Sequence, residues 1–190
     1  PISKGEAGFH HDVGEKISSI LSSSGLNETV TFSFMHPDQL KKLLFKDGDA
    51  VYNAVPILNP ITEDFPLMRT TLVPTLMDVL VRNQAVKNPS VGIYEIAQVY
   101  RPKQLPLTEL PEQEFYVSGL LYGQRTPAEW PAKAENYDFY DVKGLVEAVL
   151  QGLGIQADLE VSDWALLHPG KAARYVKDGK VLCDFGELHP

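Results

Sequence analysis

Arg69 and Glu95 are the residues whose type and setting most need a chemical explanation. Glu95 falls in the middle of an apolar run, on the same face as Val91, Ile93 and Val99. A carboxylate buried there is costly unless a cation or hydrogen-bond donor meets it. Arg69, in Pro66-Leu67-Met68-Arg69-Thr70-Thr71 just ahead of a helix start, can supply that partner as a structural ion pair; alternatively its guanidinium holds an anion. The remaining candidates are weaker. Nucleophilic catalysis needs a Ser or Cys on a sharp turn beside a base, but there is no G-x-S-x-G, and the lone Cys183 lies in a predicted strand as a small core residue. No G-x-x-x-x-G-K-[ST] or G-x-G-x-x-G loop is present to cradle phosphate. His10, His11, His36, His168 and His189 form no H-x-x-x-H or H-E-x-x-H pair that would put two imidazoles on one helix face. Glu63-Asp64 are adjacent acids, and Asp138 with Asp141 reads as helix capping. His168-Pro169-Gly170-Lys171 reads as a turn that could take a ligand. The expectation is no catalytic, cofactor-binding or metal-binding residue within these 190 residues.

Composition narrows the function classes further. A chain of this length buries roughly 70% of its unfolded surface. No apolar run reaches the roughly 20 residues a membrane span needs, so no membrane role is expected. The formal net charge of −8 opposes a broad phosphate-binding surface, which depends on clustered Lys and Arg. One cysteine precludes an internal disulfide and points to a reducing, cytoplasmic setting. No targeting signal is readable in the first residues, and both ends, Pro1 and Pro190, read as cuts through a longer polypeptide. Residues 1–11 read as a linker from an upstream domain, with the whole of 1–190 otherwise a single domain.

Periodicity then places the elements. Asp12 with Glu15 reads as a capping box, followed by Val13, Ile17, Ile20 and Leu21 at helical spacing until Gly25. Residues 29–34 alternate polar Thr29, Thr31 and Ser33 with apolar Val30, Phe32 and Phe34, the pattern of a half-buried strand. His36-Pro37-Asp38 opens a helix carrying Leu40, Leu43 and Leu44 on one face. A strand with an awkward Pro56 is predicted over 51–58, closed by Asn59-Pro60. A helix follows over 72–86, with Pro74 tolerated in its first turn. A strand apolar on both faces is predicted over 91–100, a proline-rich loop over 101–114, and another strand over 115–123. Residues 137–154 form the clearest helix, and 175–183 a hairpin turning at Asp178-Gly179. Strands joined by both hairpins and helices, without steady βαβ alternation, make the fold class α+β, a mostly antiparallel sheet flanked by helices.

Several stretches, taken in order, carry a resemblance. They are Asn59-Pro60-Ile61-Thr62; Met68-Arg69-Thr70-Thr71-Leu72-Val73-Pro74 with Asn83; Ile93-Tyr94-Glu95-Ile96-Ala97-Gln98-Val99-Tyr100; Asp138-Phe139-Tyr140-Asp141-Val142-Lys143-Gly144; His168-Pro169-Gly170-Lys171-Ala172-Ala173; and Gly186-Glu187-Leu188-His189-Pro190. From about Asp12 onward the chain resembles the core region of the β subunit of bacterial phenylalanyl-tRNA synthetase. That implies a class II aminoacyl-tRNA synthetase-like core. The helix from Asp12 and the strand after it would stand in the place of the first class motif, which commonly builds the subunit interface. The strand ending at Arg101 would stand for the second motif, with Arg101 in the place of an ATP-binding arginine. The Gly-rich third motif with its arginine has no counterpart here, and the family's magnesium-associated acids and editing domain would lie upstream.

The resemblance thus implies a catalytically silent domain that scaffolds a catalytic α subunit in a tetramer of two α and two β chains and helps to seat tRNA(Phe). ATP and Mg would serve the whole enzyme and not this fragment. The interface is expected on parts of the first and third helices, with Ile17, Ile20, Leu21 and Arg82 as candidates. Two other readings stay open: a free-standing class II paralogue that activates an amino acid with ATP, and a tRNA-binding module.

Overall fold

A computed structural model of the chain describes residues 8–43, 45, 48–60, 62–126, 130 and 133–190. Among them the elements in chain order are α1 (Phe9–Ser23), β1 (Asn27–Glu28), β2 (Phe34–Met35), α2 (Pro37–Lys41), β3 (Leu67–Met68), α3 (Val73–Ala85), β4 (Ser90–Arg101), β5 (Glu112–Thr126), β6 (Glu135–Asn136), α4 (Phe139–Gly152), β7 (Asp158–Val161), β8 (Leu167–Lys177) and β9 (Lys180–Leu188). A single 3₁₀ turn, Ala50–Tyr52, lies between α2 and β3. The central sheet has the order β1-β4-β5-β6, with β1 parallel to β4 and the other pairs antiparallel. β2 and β3 form a small antiparallel ribbon, and β7-β8-β9 a second antiparallel sheet. This is the expected α+β architecture.

The two-faced apolar pattern of β4 decides the layering. Val91 and Ile93 point to one side and pack under Leu76 and Leu80 of α3. Tyr94 and Ile96 point to the other, under Ile17 and Leu21 of α1. Each fully buried side chain of this kind stabilises by about 1.5–3 kcal/mol. Tyr94 carries a hydroxyl into that core, and the Oγ atoms of Ser18 and Ser22, each at 2.8 Å, satisfy it. α4 is apolar on two faces: Leu145, Val149 and Leu153 join the α1 cluster, while Phe139, Val142, Val146 and Leu150 pack on Ala173, Tyr175 and Phe185 of β8 and β9. It therefore couples the two larger sheets.

The strongly patterned segments lie where periodicity puts them. α3 and α4 begin and end within about two residues of expectation, with Pro74 in the first turn of α3 and Asp138 capping α4 through Tyr140 N and Asp141 N. The β8–β9 turn uses positive φ at Asp178 (51°) and Gly179 (73°), as a tight hairpin requires.

Other expectations are overturned. α1 starts at Phe9, with Gly8 at its N-cap, so Asp12 sits in the first turn and does not cap. Residues 9–11 of the predicted linker are thus helical, and His10 stacks on Phe115 of β5 at 5.1 Å, a tertiary contact that local pattern cannot reveal. The linker's residues before Gly8 lie outside the described residues. The strand predicted over 29–34 shrinks to Phe34–Met35, because 29–33 spends its polar groups on a buried ion pair described below. Over 51–58 there is no strand, only the 3₁₀ turn and a single bridge from Pro56 to Leu67. α2 ends before Leu43, and Leu44 and Ile61 lie outside the described residues. His168-Pro169-Gly170-Lys171 belongs to β8 and is not a free turn; a register irregularity against β9 between Leu167 and Ala172 explains its turn-like composition. β7, exposed at all four positions, alternates Asp158-Leu159-Glu160-Val161, a repeat too short to mark a strand by itself.

Candidate functional site

Arg69 directly follows β3, in the short connection that leads to α3, over the odd-numbered face of β4. Its backbone is pinned on both sides, Arg69 N donating to Ser33 O (3.0 Å) and Tyr100 N donating to Arg69 O (2.9 Å). The guanidinium then makes a fork: Nε donates to Gln98 O (2.9 Å), while Nη1 meets Glu95 Oε1 (2.8 Å), Thr31 Oγ1 (3.1 Å) and Phe32 O (3.3 Å). Glu95 accepts in addition from Thr31 N (3.2 Å) and from Thr31 Oγ1, at 3.0 Å to Oε1 and 2.8 Å to Oε2. Arg69 and Glu95 are 3% and 2% exposed. Neither charge opens onto solvent. The arrangement joins the β3–α3 connection, β4 and residues 29–33, and its chemistry is positional.

Arg101 has companions as well, but on β5 and not on the loop after it. Nη2 donates to Tyr116 Oη (2.8 Å), Nη1 lies 3.4 Å from Glu114 Oε2, and the guanidinium carbon stands 5.2 Å from the Tyr116 ring centroid. Partial burial raises the Tyr116 hydroxyl above its ordinary pKa, and the Arg101 charge opposes that rise. Asp138 and Asp141 form a reciprocal capping box. Asp141 also receives Arg125 Nη1 at 3.0 Å, and Arg125, hydrogen-bonded to Glu135 and Asp141, has its pKa raised. Cys183 is half-buried beside Ala173, Tyr175 and Phe185, and burial pushes its thiol pKa up, away from the thiolate a nucleophile needs. His36 Nδ1 caps α2 by accepting from Asp38 N at 3.1 Å. Among the described residues there is no group of three or more His, Cys, Asp or Glu side chains placed to hold a metal ion.

Ile17 and Leu21, expected at a subunit interface, are buried inside the domain against Leu26 and Tyr94. Their face of α1 is spent on the core, because Tyr94 brings its own ring and hydroxyl to that side of the sheet. Ile20 is half-buried where α1 crosses α4: a Cβ on Gly152 would come within 2.3 Å of Ile20 Cδ1. Arg82 is exposed in the last turn of α3. One cluster escaped sequence reading. Ser162, buried, bonds Asp184 Oδ1 at 2.5 Å, and Arg174 Nε reaches the same oxygen at 3.1 Å. Its members are scattered over β8, β9 and the turn after β7, and no spacing rule unites them. Beside it lies a shallow open depression of about 290 Å³ lined by Trp164, Leu167, Pro169 and His189 among others.

Residues 1–190 match the family described as "Phenylalanyl tRNA synthetase beta chain CLM domain". The chain belongs to this family. Among relatives of this family member, the phenylalanine–tRNA ligase beta subunit of Geobacter metallireducens is 35% identical over 183 residues, 95% of this chain and 23% of that protein. The corresponding subunit of Carboxydothermus hydrogenoformans is 32% identical over 194 aligned positions, 100% of this chain and 24% of the relative. The chain thus spans about a quarter of the length of these relatives. Its fold is that of class II tRNA synthetases. The solved structure of Desulfitobacterium hafniense PylSc, a pyrrolysyl-tRNA synthetase, superposes with a TM-score of 0.62 at 19% identity, covering 91% of this chain and 56% of that one. No helix among the described residues of this domain is long and apolar enough to cross a membrane.

Proposed function

We propose that this domain is a catalytically silent synthetase-like module of a phenylalanine–tRNA ligase β subunit. It packs against a catalytic α subunit in a tetramer of two α and two β chains and supports ATP- and Mg-dependent charging of tRNA(Phe) in the cytoplasm. The observation that supports this reading best is the state of Arg101. In the position that the resemblance assigns to an ATP-binding arginine, it is engaged by Glu114 and stacked on Tyr116. The fold and the family membership are retained. ATP and Mg belong, on this reading, to the partner's site.

The test uses the full-length β subunit with its α partner. Deleting this domain abolishes α–β association and aminoacylation, whereas Arg101→Ala in the intact complex leaves the rate of aminoacylation within about twofold. A deletion variant that still bound α with undiminished affinity would sink the scaffold reading. A fall of a hundredfold or more with Arg101→Ala would show instead that the domain takes part in chemistry.

A further inference from the structure

Two non-glycine residues among the described ones stand in the left-handed backbone region, Lys87 and Asp178. Asp178 is the one whose side chain can react with its own main chain. It is followed by Gly179, which has no side chain to shield its amide nitrogen, and both residues are exposed. Among the described residues no other aspartate precedes a glycine. Neither the Asp178 carboxyl nor the Gly179 N–H has a hydrogen-bond partner among those residues, so nothing in the domain holds the two groups apart.

The turn that joins β8 to β9 consists of these two residues, with Lys177 paired to Lys180 and Val176 to Val181 on either side. φ is 51° at Asp178 and 73° at Gly179, positive at both central positions, as in a type I′ turn. The other common two-residue hairpin turn, type II′, keeps φ near +60° at its first central residue and sets ψ there to about −120°. The two types differ by rotation of the peptide unit between Asp178 and Gly179, and glycine at the second position accepts either orientation. A five-membered ring closed between the Asp178 side chain and Gly179 N demands that same ψ, because closure brings Cβ, Cα, C and N close to one plane. Asp178 already has the φ of the ring-closed turn. One peptide rotation supplies the rest while the strands stay paired.

We propose that Asp178 is a covalent modification site, at which the hairpin turn isomerises its own main chain to an isoaspartyl link. Gly179 N attacks Cγ of the protonated Asp178 carboxyl. The N–C bond forms, the C–OH bond breaks, and the hydroxyl leaves with the amide proton as water. Solvent water then opens the succinimide. Addition at Cγ restores aspartate, whereas addition at the original main-chain carbonyl breaks its bond to Gly179 N, returns a proton to that nitrogen and leaves the chain running through Cβ and Cγ. One water is lost and one regained, no electrons are exchanged, and the mass is unchanged. The product carries an extra methylene in a two-residue turn and a free α-carboxylate between Lys177 and Lys180, so the pairing of those two lysines is lost. It is then a substrate for the class of S-adenosylmethionine-dependent methyltransferases that esterify isoaspartyl carboxyls. This site does not depend on the scaffold reading above.

The experiment ages the full-length β subunit with its α partner in neutral buffer and follows the chymotryptic peptide 176–182, which ends at Leu182 and begins after Tyr175. Isoaspartate in it is read by methyltransferase labelling and by backbone-cleaving mass spectrometry, beside a synthetic peptide of the same sequence. Folding ordinarily slows such reactions, because they wait for local opening. The expected rate at Asp178 is within about tenfold of the free peptide's and does not change in sub-denaturing urea, since the peptide rotation needs no opening of the hairpin. Asp178→Glu is expected to abolish the label, and Asp178→Asn to lose ammonia through the same ring. A rate more than about tenfold below the peptide's overturns the inference, as does one that climbs with urea in step with hydrogen exchange at the hairpin amides. Equal labelling of the peptide in Asp178→Glu overturns the assignment to this residue.

Discussion

Replacing Arg69 by Met removes one side of a buried charge pair while keeping most of the side-chain volume. Glu95, 2% exposed, then keeps only Thr31 as partner, having lost the 2.8 Å contact to Nη1. Breaking a buried pair by removing one partner costs about 3–5 kcal/mol, mostly the desolvation of the charge left behind. Two further acceptors, Gln98 O and Phe32 O, lose their donor, and each unsatisfied group adds about 1–3 kcal/mol if water does not reach it. Against a total stability of about 5–15 kcal/mol for a domain, the expected loss is a large fraction of the whole. Urea unfolding of Arg69→Met, Glu95→Leu and the double variant measures it. Each single change is expected to cost at least about 3 kcal/mol, and the double variant clearly less than their sum, since the second change removes the charge stranded by the first. Arg69→Lys is expected to recover only part of the loss, because an ammonium cannot reach Gln98 O and Glu95 through one planar fork. Hydrogen exchange at Thr31 N is expected to speed up in step, since that amide is held by Glu95. An Arg69→Met cost below about 1 kcal/mol, or single costs that simply add, would refute the claim that this pair organises residues 29–33.

Gly123→Ala is expected to destabilise by more than about 2 kcal/mol in thermal or urea unfolding, because φ there is +80° and a Cβ would lie 2.0 Å from the Pro89 carbonyl oxygen. Asp138→Ala removes the cap of α4, whose side chain holds Tyr140 N at 2.8 Å, and is expected to cost about 1 kcal/mol, with Asp138→Asn restoring most of it. Burial and the bond to Glu147 push the Tyr175 hydroxyl up to about 12, above its unfolded value of 10.0. The folded pKa is the raised one, so this contribution is fully present below pH 10 and is lost as pH climbs toward 12. Tyr175→Phe is expected to remove that part of the alkaline fall in stability, as followed by unfolding midpoints across that range.

Where a segment's burial follows its own periodicity, local pattern was enough to read it. The 3.6-residue repeat of Leu72, Leu76, Val79 and Leu80 marks α3, and the two-faced apolar run marks β4, because both faces of that strand are covered by helices and neither choice of side is needed. The Asp178-Gly179 turn is likewise legible, since positive φ is a property of the turn itself. Glu95 announced its need for a partner for the same reason: the cost of burying a carboxylate belongs to the residue and not to the fold. Family membership, too, was carried by short ordered stretches of sequence.

What only the tertiary structure decided is which side of a segment faces in. Residues 29–34 alternate polar and apolar side chains, but a period of two says nothing of direction, and the usual rule that the apolar face goes inward fails here, where Val30 and Phe32 are 90% and 71% exposed. Arg69 and Glu95, each more than 25 positions away from the loop, supply the polar interior that reverses it. The same holds for α1, whose first turn carries His10 stacked on Phe115, and whose Ile17 and Leu21 are buried against Tyr94. Periodicity is local and cheap to read. The sign of burial is set by groups brought together across the chain, and that no single stretch of sequence contains.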